Sequence, residues 1–478
     1  MTQGRRGRSC ASPLNMKRTF LGLALLISWM AAGPTLAAAR TAARPNIVFL
    51  LADDLRWNAL GCMGDKVVQT PNIDRLAAQG ALFRNHFVTT SICCVSRASI
   101  FCGQYERRHG IWDFATPFTE KQWRQTYPAL LRQAGYRTGF IGKFGVGKDA
   151  YIKAMEKEFD YWRGLPGQGG LFFDKNDPTG QHKTARFGDQ ALEFLRGSEP
   201  GKPFCLALSF TAPHARDKQP REFWPDPREE PLFTNDSVAV PKTATEEFFR
   251  RLPKSVQESE SRVRWKLRFD TEEKFQRITK DYYRLIAGID REVGRVVEEL
   301  GRLGLGTNTV VVFTSDNGFF FGERGLADKW YMYEESIRVP LIVVDPRLGP
   351  AARGRAVDAM TLNIDFAPTF LDWAGLRPPR AMQGRSLQPL TRGEQPKDWR
   401  AEFFYEHHFG PKIIPPSEGV RTERWSYLRW INENPVVEEL YDVQADPLEE
   451  HDLASSPASA KTLNELRARW TKLQKQLR

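Results

Sequence analysis

Short apolar runs rich in β-branched side chains alternate along this chain with segments in which apolar residues recur at helical spacing. Strands are predicted at Asn46–Leu51, Thr138–Ile141, Phe204–Phe210, Thr309–Phe313 and Leu341–Val344. One helix opens at Thr70 as N-cap with Pro71 in its first turn, and Gly80 closes it. A second runs from Tyr127 to Ala134 and stops at Gly135. The longest helical pattern, from about 277 to 303, puts Ile278, Leu285, Ile289, Val293 and Val297 along one face. This alternation predicts an α/β fold, a mostly parallel central sheet sandwiched by helices. Residues 211–275 are polar, charge-dense and interrupted by proline, as in long excursions over a sheet where specificity often resides. The Pro-rich joint Arg377-Pro378-Pro379 divides a larger part, 40–376, from a smaller C-terminal α+β subdomain, 377–478. The latter ends in a charged helix from about Ser459 to Leu477.

Composition narrows the class. With 478 residues, 41% hydrophobic and 27% charged, the chain has the apolar content a disordered protein lacks. Its 37 Gly and 31 Pro are too few for a collagen-like or mucin-like chain, and six Cys cannot staple a scaffold of this size. The formal net charge of +11 points to anionic partners. Part of that charge is N-terminal. Met16-Lys17-Arg18, the apolar run Phe20–Met30 and the small residues of Leu36-Ala37-Ala38-Ala39 read as a secretory signal peptide. Residues 1–39 are thus a signal peptide with an upstream extension, and the mature protein is periplasmic or extracellular. The apolar run falls short of the roughly 20 residues of a membrane span, so no stable membrane insertion is expected. Without this segment the charge is +6, 64 basic against 58 acidic residues. No basic tract remains to bind nucleic acid. Five Cys also remain, Cys62, Cys93, Cys94, Cys102 and Cys205, an odd number for an exported protein.

The polar clusters follow the strands. Asp53-Asp54 come directly after the first, Lys143 after the second, His214 after the third and Asp316-Asn317-Gly318 after the fourth. Ligands of open parallel sheets bind at the carboxyl ends of the strands, so these clusters converge. Three Asp and one Asn form an all-oxygen set suited to Ca²⁺ or Mg²⁺.

The segment Thr89-Thr90-Ser91-Ile92-Cys93-Cys94-Val95-Ser96-Arg97-Ala98-Ser99-Ile100-Phe101-Cys102-Gly103-Gln104 carries a specific likeness. It resembles the signature of the type I, formylglycine-dependent sulfatases of the alkaline-phosphatase superfamily. That signature is Cys or Ser-x-Pro-Ser-Arg followed by Thr-Gly-Arg, and Cys93, Ser96, Arg97 and Gly103 match it. Further blocks occur in the family's order: Asn46 to Asp54, Thr70 to Leu76, Ala212-Pro213-His214 and Ser315 to Gly318. Tyr333 to Pro340, Met382 to Leu387 and Glu439 to Asp442 complete the series. The resemblance implies an alkaline-phosphatase-like fold and a sulfuric ester hydrolase acting on a sulfate ester, in an exported protein a sulfated carbohydrate. It implies conversion of Cys93 to formylglycine (3-oxoalanine) by a formylglycine-generating maturase. Asp53, Asp54, Asp316, Asn317 and the modified Cys93 would hold Ca²⁺, with Mg²⁺ as the other candidate. A hydrated aldehyde offers one hydroxyl to attack sulfur and a second to expel sulfate. If Cys93 begins a helix, Arg97 lies one turn on along the same face and can hold that diol. Lys143 and Lys329 would neutralise sulfate oxygens, and His214 would protonate the leaving alkoxide.

Three positions depart from the family pattern. Val95 stands where the maturase usually reads Pro, Gly145 where many members carry His, and Arg324 where related sequences often carry His. His109, in Arg107-Arg108-His109-Gly110, is the candidate for the missing base, or for a substrate contact. Arg324 is read either as a contact to an anionic substrate or as a surface residue. His407 and His408 are candidates to reach the substrate from the C-terminal part, His86 reads as a core histidine, and His182 and His451 as exposed. Cys94 and Cys102 are a candidate disulfide pair. Two readings compete with the sulfatase: a phosphonate monoester or phosphodiester hydrolase of the same superfamily, and a catalytically inactive sulfated-glycan-binding protein.

Overall fold

The apolar runs come together in one sheet of eight strands: β1 (Asn46–Asp53), β2 (Ala81–Phe83), β3 (Arg137–Lys143), β4 (Tyr161–Leu165), β5 (Phe204–Pro213), β6 (Thr309–Ser315), β7 (Leu341–Val344) and β8 (Arg355–Val357). This is a computed structural model, and it describes residues 44–170, 172–173, 179–217, 219 and 221–477. The signal peptide read at 1–39 lies outside the described residues. The spatial order is β8-β2-β7-β6-β1-β5-β3-β4. Only β7 runs against its neighbours, β2 and β6. The remaining pairings are parallel. The fold is therefore α/β with a mostly parallel sheet.

β1 shows why both faces are covered. Val48, Leu50 and Ala52 enter one core, and the alternate residues Ile47, Phe49 and Leu51 enter the other. Helices α1 (Pro71–Gln79), α4 (Lys183–Arg196) and α5 (Glu272–Arg302) close the first face. They bury Ile73 and Leu76, Ala191 and Leu195, and Ile278, Leu285, Ile289 and Val293. Helices α2 (Cys93–Cys102), α3 (Tyr127–Gln133) and α6 (Phe366–Trp373) close the second, through Ala98, Phe101, Leu131, Phe366 and Phe370. Each of these buried Val, Leu, Ile or Phe side chains contributes about 1.5–3 kcal/mol.

β1, β5 and β6 run past the residues at which hydropathy predicts their ends. Ladder pairing continues through Ala52 with Ser315 and Asp53 with Pro213 after the side chains have turned polar. α5 begins earlier than its apolar stripe, because the Thr271 side chain accepts from the Lys274 amide and caps it. Among the described residues, the polar stretch after β5 carries only the short helices Glu246–Arg251, Lys254–Gln257 and Glu260–Arg268 before α5.

The C-terminal segment forms a second, antiparallel sheet, β9 (Glu402–His407), β10 (Ser417–Thr422), β11 (Trp425–Trp430) and β12 (Val437–Asp442), in sequential order. α7 (Ala460–Gln476) packs on it through Leu463 and Leu466. Phe404, Tyr427 and Trp430 of this sheet share a core with Phe87, Ile92 and Val95, so α2 touches both sheets.

All five cysteines among the described residues are free thiols. The Cys94–Cys102 pairing is corrected on geometry. Both sit on α2 eight residues apart, about 12 Å along the axis, beyond the reach of a disulfide.

Candidate active site

Four strand ends meet as the parallel order requires. Asp53 is the last residue of β1 and Asp54 follows it with φ 66°, a left-handed conformation that Asp tolerates better than most residues. The turn bends both carboxylates toward the same point. Lys143 ends β3, His214 follows β5, and Asp316 and Asn317 follow β6. Lys329 lies between Asp328 and Trp330, both also at positive φ, 67° and 89°. Cys93 is the first residue of α2, as the signature requires for Arg97 to lie one turn further on.

The contacts are dense. Cys93 Sγ lies 3.5 Å from Asp53 Oδ1 and 3.7 Å from Asp54 Oδ1, and Asn317 Nδ2 reaches it at 3.5 Å. Lys143 Nζ donates to both Asp53 oxygens at 3.0 and 2.8 Å, and Lys329 Nζ donates to Asp54 Oδ2. His214 Nε2 is 3.4 Å from the same Asp54 oxygen. Arg97 locks the floor: Nε donates to Asp316 Oδ2 at 2.7 Å, and one Nη donates to the Lys143 carbonyl at 2.7 Å and to Ser209 Oγ. Asp53, Asp54, Cys93, Arg97, Lys143, Asp316, Asn317 and Lys329 are all buried.

Burial sets the electrostatics. It opposes the charge of Asp53, but Lys143, Arg97 and Lys329 outweigh it and hold that carboxyl far below the usual range. Asp54 has less compensation. Burial pushes its pKa up to about 7 against the pull of Lys329, and the charges of Asp53 and Asp316 add to the rise. Asp316 is raised too, by burial and against Arg97. Burial pushes the Cys93 thiol up, although Lys143 and Lys329 act the other way. His214 is driven well below the ordinary imidazole value, first by burial and then by Lys329. It is geometrically an ion-pair partner of Asp54, yet burial, with Lys329, Lys143 and Arg216, favours the neutral ring. Its Nδ1–H donates to the Ala215 carbonyl, which leaves Nε2 facing the cluster without a proton.

These residues suit a hard cation. Three buried carboxylates and an amide offer oxygen only, and Asn317 Oδ1 is buried without a partner. Ligand atoms of Asp53, Asp54, Cys93 and His214 all lie within 4.8 Å of one another. A second buried polar atom without a partner, the other Nη of Arg97, points to the same centre, 3.6 Å from Asp53 Oδ1. The centre opens to a cleft of about 420 Å³. Cys93, His214 and Lys329 form its floor, and Gln168, Arg216, Trp330 and the loop residues Phe409, Ile413 and Ile414 its walls.

Not every candidate reaches the centre. His109 is buried and both ring nitrogens are engaged: Nδ1 accepts from the Ile111 amide at 3.0 Å and Nε2 faces Ser99 Oγ at 3.1 Å. Burial lowers its pKa to about 3. It packs behind α2 and does not replace the histidine missing at 145. Gly145 itself has φ 79°, and a Cβ there would lie 2.6 Å from Arg97 Cδ. Arg324 is neither at the surface nor in the cleft; it is buried against Glu335 and Glu449 with its guanidinium over Tyr333. His182 is buried, because it caps α4 by accepting from the Thr184 amide. His86 sits in the core beside Thr361, and His451 is exposed, both as expected. His407 is buried and His408 lies between Glu106 and Glu418, outside the cleft walls. Sequence reasoning missed Ser209, Gln168 and Arg216. Ser209 carried a signal, being the first polar residue in the apolar run of β5.

The sequence matches the Sulfatase family over residues 45–376 and the N-sulphoglucosamine sulphohydrolase C-terminal family over 322–476. An N-acetylglucosamine-6-O-sulfatase of Bacteroides thetaiotaomicron is 31% identical over 500 residues, covering 91% of this chain and 87% of the relative. A choline-sulfatase of Rhizobium meliloti is 28% identical, covering 87% and 84%. A solved structure in complex with its substrate D-glucosamine-2-N,6-O-disulfate superposes with a TM-score of 0.78 at 30% identity, covering 91% of this chain and 98% of that one. With a family match across most of its length and the four strand ends gathered around Cys93, the chain belongs to the sulfatase family and is a sulfuric ester hydrolase.

Proposed function

We propose that this protein is an exported sulfatase that removes a sulfate ester from a sulfated carbohydrate, a sulfated glucosamine above all, using a formylglycine made from Cys93 and a bound divalent cation, Ca²⁺ by preference. The observation that carries the reading is the position of Cys93: first residue of α2, facing Asp53 and Asp54, at the floor of the cleft. The sugar is supported by the N-acetylglucosamine-6-O-sulfatase relative and by the disulfated glucosamine in the similar structure.

Chemistry supports a modified Cys93. A buried thiol whose pKa is pushed up is a poor nucleophile at neutral pH. A hydrated aldehyde at that position would supply a hydroxyl to attack sulfur and a second to release sulfate. Asp53, Asp54, Asp316 and Asn317 would hold the cation, which would polarise the sulfate oxygens and favour the ionised hydroxyl. Lys143 and Lys329 would meet the charge on the sulfate from two sides. Arg97 orients Asp316, and its unpartnered Nη would be available to hold the diol. His214 stands at the mouth of the centre. Its Nε2 carries no proton in the resting cluster, and the extra negative charge of a bound sulfate favours its protonation for transfer to the leaving oxygen.

The test is coexpression with a formylglycine-generating enzyme, mass spectrometry of the Cys93 peptide, and measurement of sulfate released from N-acetylglucosamine 6-sulfate. An aldehyde at 93 and calcium-dependent sulfate release are expected. An intact thiol with no turnover, or faster turnover of a matched phosphonate or phosphate ester, overturns the proposal.

A further inference from the structure

Among the described residues, four of the cations at the cleft and its floor are spent on carboxylates. Lys143 is paired with Asp53, Lys329 with Asp54 and Arg97 with Asp316. Arg264, in the cleft wall, meets Asp217 at 3.0 Å, Glu260 at 2.9 Å and Asp328 at 2.8 Å. Arg216 differs. Two residues after His214, it is 7% exposed and lines the cleft. Among the described residues its guanidinium has no carboxylate partner. It donates only to two carbonyls, Gln168 at 3.2 Å and Thr211 at 3.1 Å, and its Nε–H is buried without an acceptor. The ring of Phe172 lies 5.0 Å from the guanidinium carbon and fixes its plane. Beside it, Gln168 Oε1 is a second buried polar atom without a partner. A buried arginine that is held in place by carbonyls, while donors remain unused, is costly unless an anion completes it.

We propose that Arg216 contacts the substrate directly and receives a second anionic substituent of the sugar, a sulfate, sulfamate or carboxylate group, beside the sulfate ester that is hydrolysed. The planar fork offers Nε–H and a free Nη–H to two oxygens of one anion, a match that Lys cannot reproduce. Arg216 follows His214 by two residues, and both line the same cleft as Cys93. The second anion is therefore adjacent to the reacting group, on the same sugar or its immediate neighbour. This rests on the sulfatase reading of the same cleft and names the class of substrate it selects: doubly anionic sugars.

Binding is measured by calorimetry on the Cys93→Ala chain, where no turnover intervenes. The three ligands are glucosamine 2-N,6-O-disulfate, N-acetylglucosamine 6-sulfate, and the latter joined to a uronic acid. Arg216 is then changed to Gln and, separately, to Lys, and folding of each variant is followed by thermal denaturation. The parent is expected to prefer a doubly anionic ligand by about 10- to 100-fold, the value of a charged hydrogen bond. The ligand preferred, sulfamate or uronate, tells which source supplies the anion. Arg216→Gln is expected to collapse that preference ratio, and Arg216→Lys to keep only part of it. Equal affinity of the parent for all three ligands overturns the inference. So does a ratio unchanged by Arg216→Gln, or a parallel loss for every ligand in both variants. If the unaltered protein, coexpressed with a maturase, releases no sulfate from any sugar while the binding ratio behaves as expected, the sulfatase proposal fails and the anion site stands.

Discussion

Arg97 joins three strand ends through a single guanidinium, holding Asp316 after β6, the carbonyl of Lys143 in β3 and Ser209 in β5. Removing it leaves Asp316 buried and unpaired. Arg97→Ala is expected to destabilise the protein by about 3–5 kcal/mol and to abolish sulfate release. Arg97→Lys is expected to recover part of the stability but not the activity, because an ammonium cannot reach three acceptors in one plane. Thermal melts and turnover measured side by side separate the two losses. Gly145 depends on the same arginine. Gly145→His would restore the residue common in the family, but it places a side chain at φ 79° and a Cβ 2.6 Å from Arg97 Cδ. The left-handed backbone alone costs about 1–2 kcal/mol. A lower melting temperature with no gain in turnover is expected, and a rise in both would refute the steric account.

At the scale of elements, the start of α2 decides whether Cys93 is presented correctly. Ser96 Oγ donates to the Asp316 carbonyl at 2.6 Å and accepts from Asn363 Nδ2 at 3.0 Å, which ties the helix to the strand ends. Val95 is the third residue of the helix, in the turn where amides lack intrahelical acceptors. Proline is tolerated in a first turn, so Val95→Pro is compatible with the fold. The variant is expected to melt within a few degrees of the parent, and a larger fraction of Cys93 is expected to become aldehyde on coexpression with a maturase. Mass spectrometry of the Cys93 peptide reads this directly. The strands and the long helix were legible because their apolar periods are strong and burial on both faces of the sheet requires them. Their ends were less so. Hydropathy stops at the first polar residue, while the ladder runs on to Asp53, Pro213 and Ser315. Those extra residues aim Asp54, His214 and Asp316.

At the scale of the whole molecule, the C-terminal sheet is joined to the signature helix region by a buried charge network. Arg107 bonds Glu406 and Glu418, and His408 lies between Glu106 at 3.5 Å and Glu418 at 3.4 Å. Burial opposes the charge of His408, but the carboxylates of Glu106 and Glu418 on either side of it raise its pKa to about 10. The folded state therefore holds this proton more tightly than the unfolded chain. The contribution is fully present below pH 6.5, the ordinary imidazole value, and is lost as pH rises toward about 10. Denaturant unfolding at intervals between pH 6 and pH 10 is expected to show stability falling across that window, and His408→Gln to flatten the fall. An equally steep decline in the variant would assign the dependence to other groups.

The sequence by itself determined the α/β alternation, the order of the family's blocks and the set Asp53, Asp54, Cys93, Arg97, Lys143, His214, Asp316, Asn317 and Lys329. Asp53, Asp54, Lys143, His214, Asp316 and Asn317 follow strands, and the rule for parallel sheets places such residues at one edge; Cys93, Arg97 and Lys329 came from the resemblance to the sulfatase signature and blocks. It could not tell a histidine that serves the site from one that serves the core: His109 and His214 each follow a motif, and only the packing behind α2 engages both nitrogens of His109. Nor could it show that Arg324 is neutralised inside the protein while Arg216, among the described residues, is left without a carboxylate. Pairing of charges depends on residues far apart in the chain, such as Glu449 for Arg324 and Gln168 and Thr211 for Arg216. Only the folded chain sets which cation keeps its donors for a ligand.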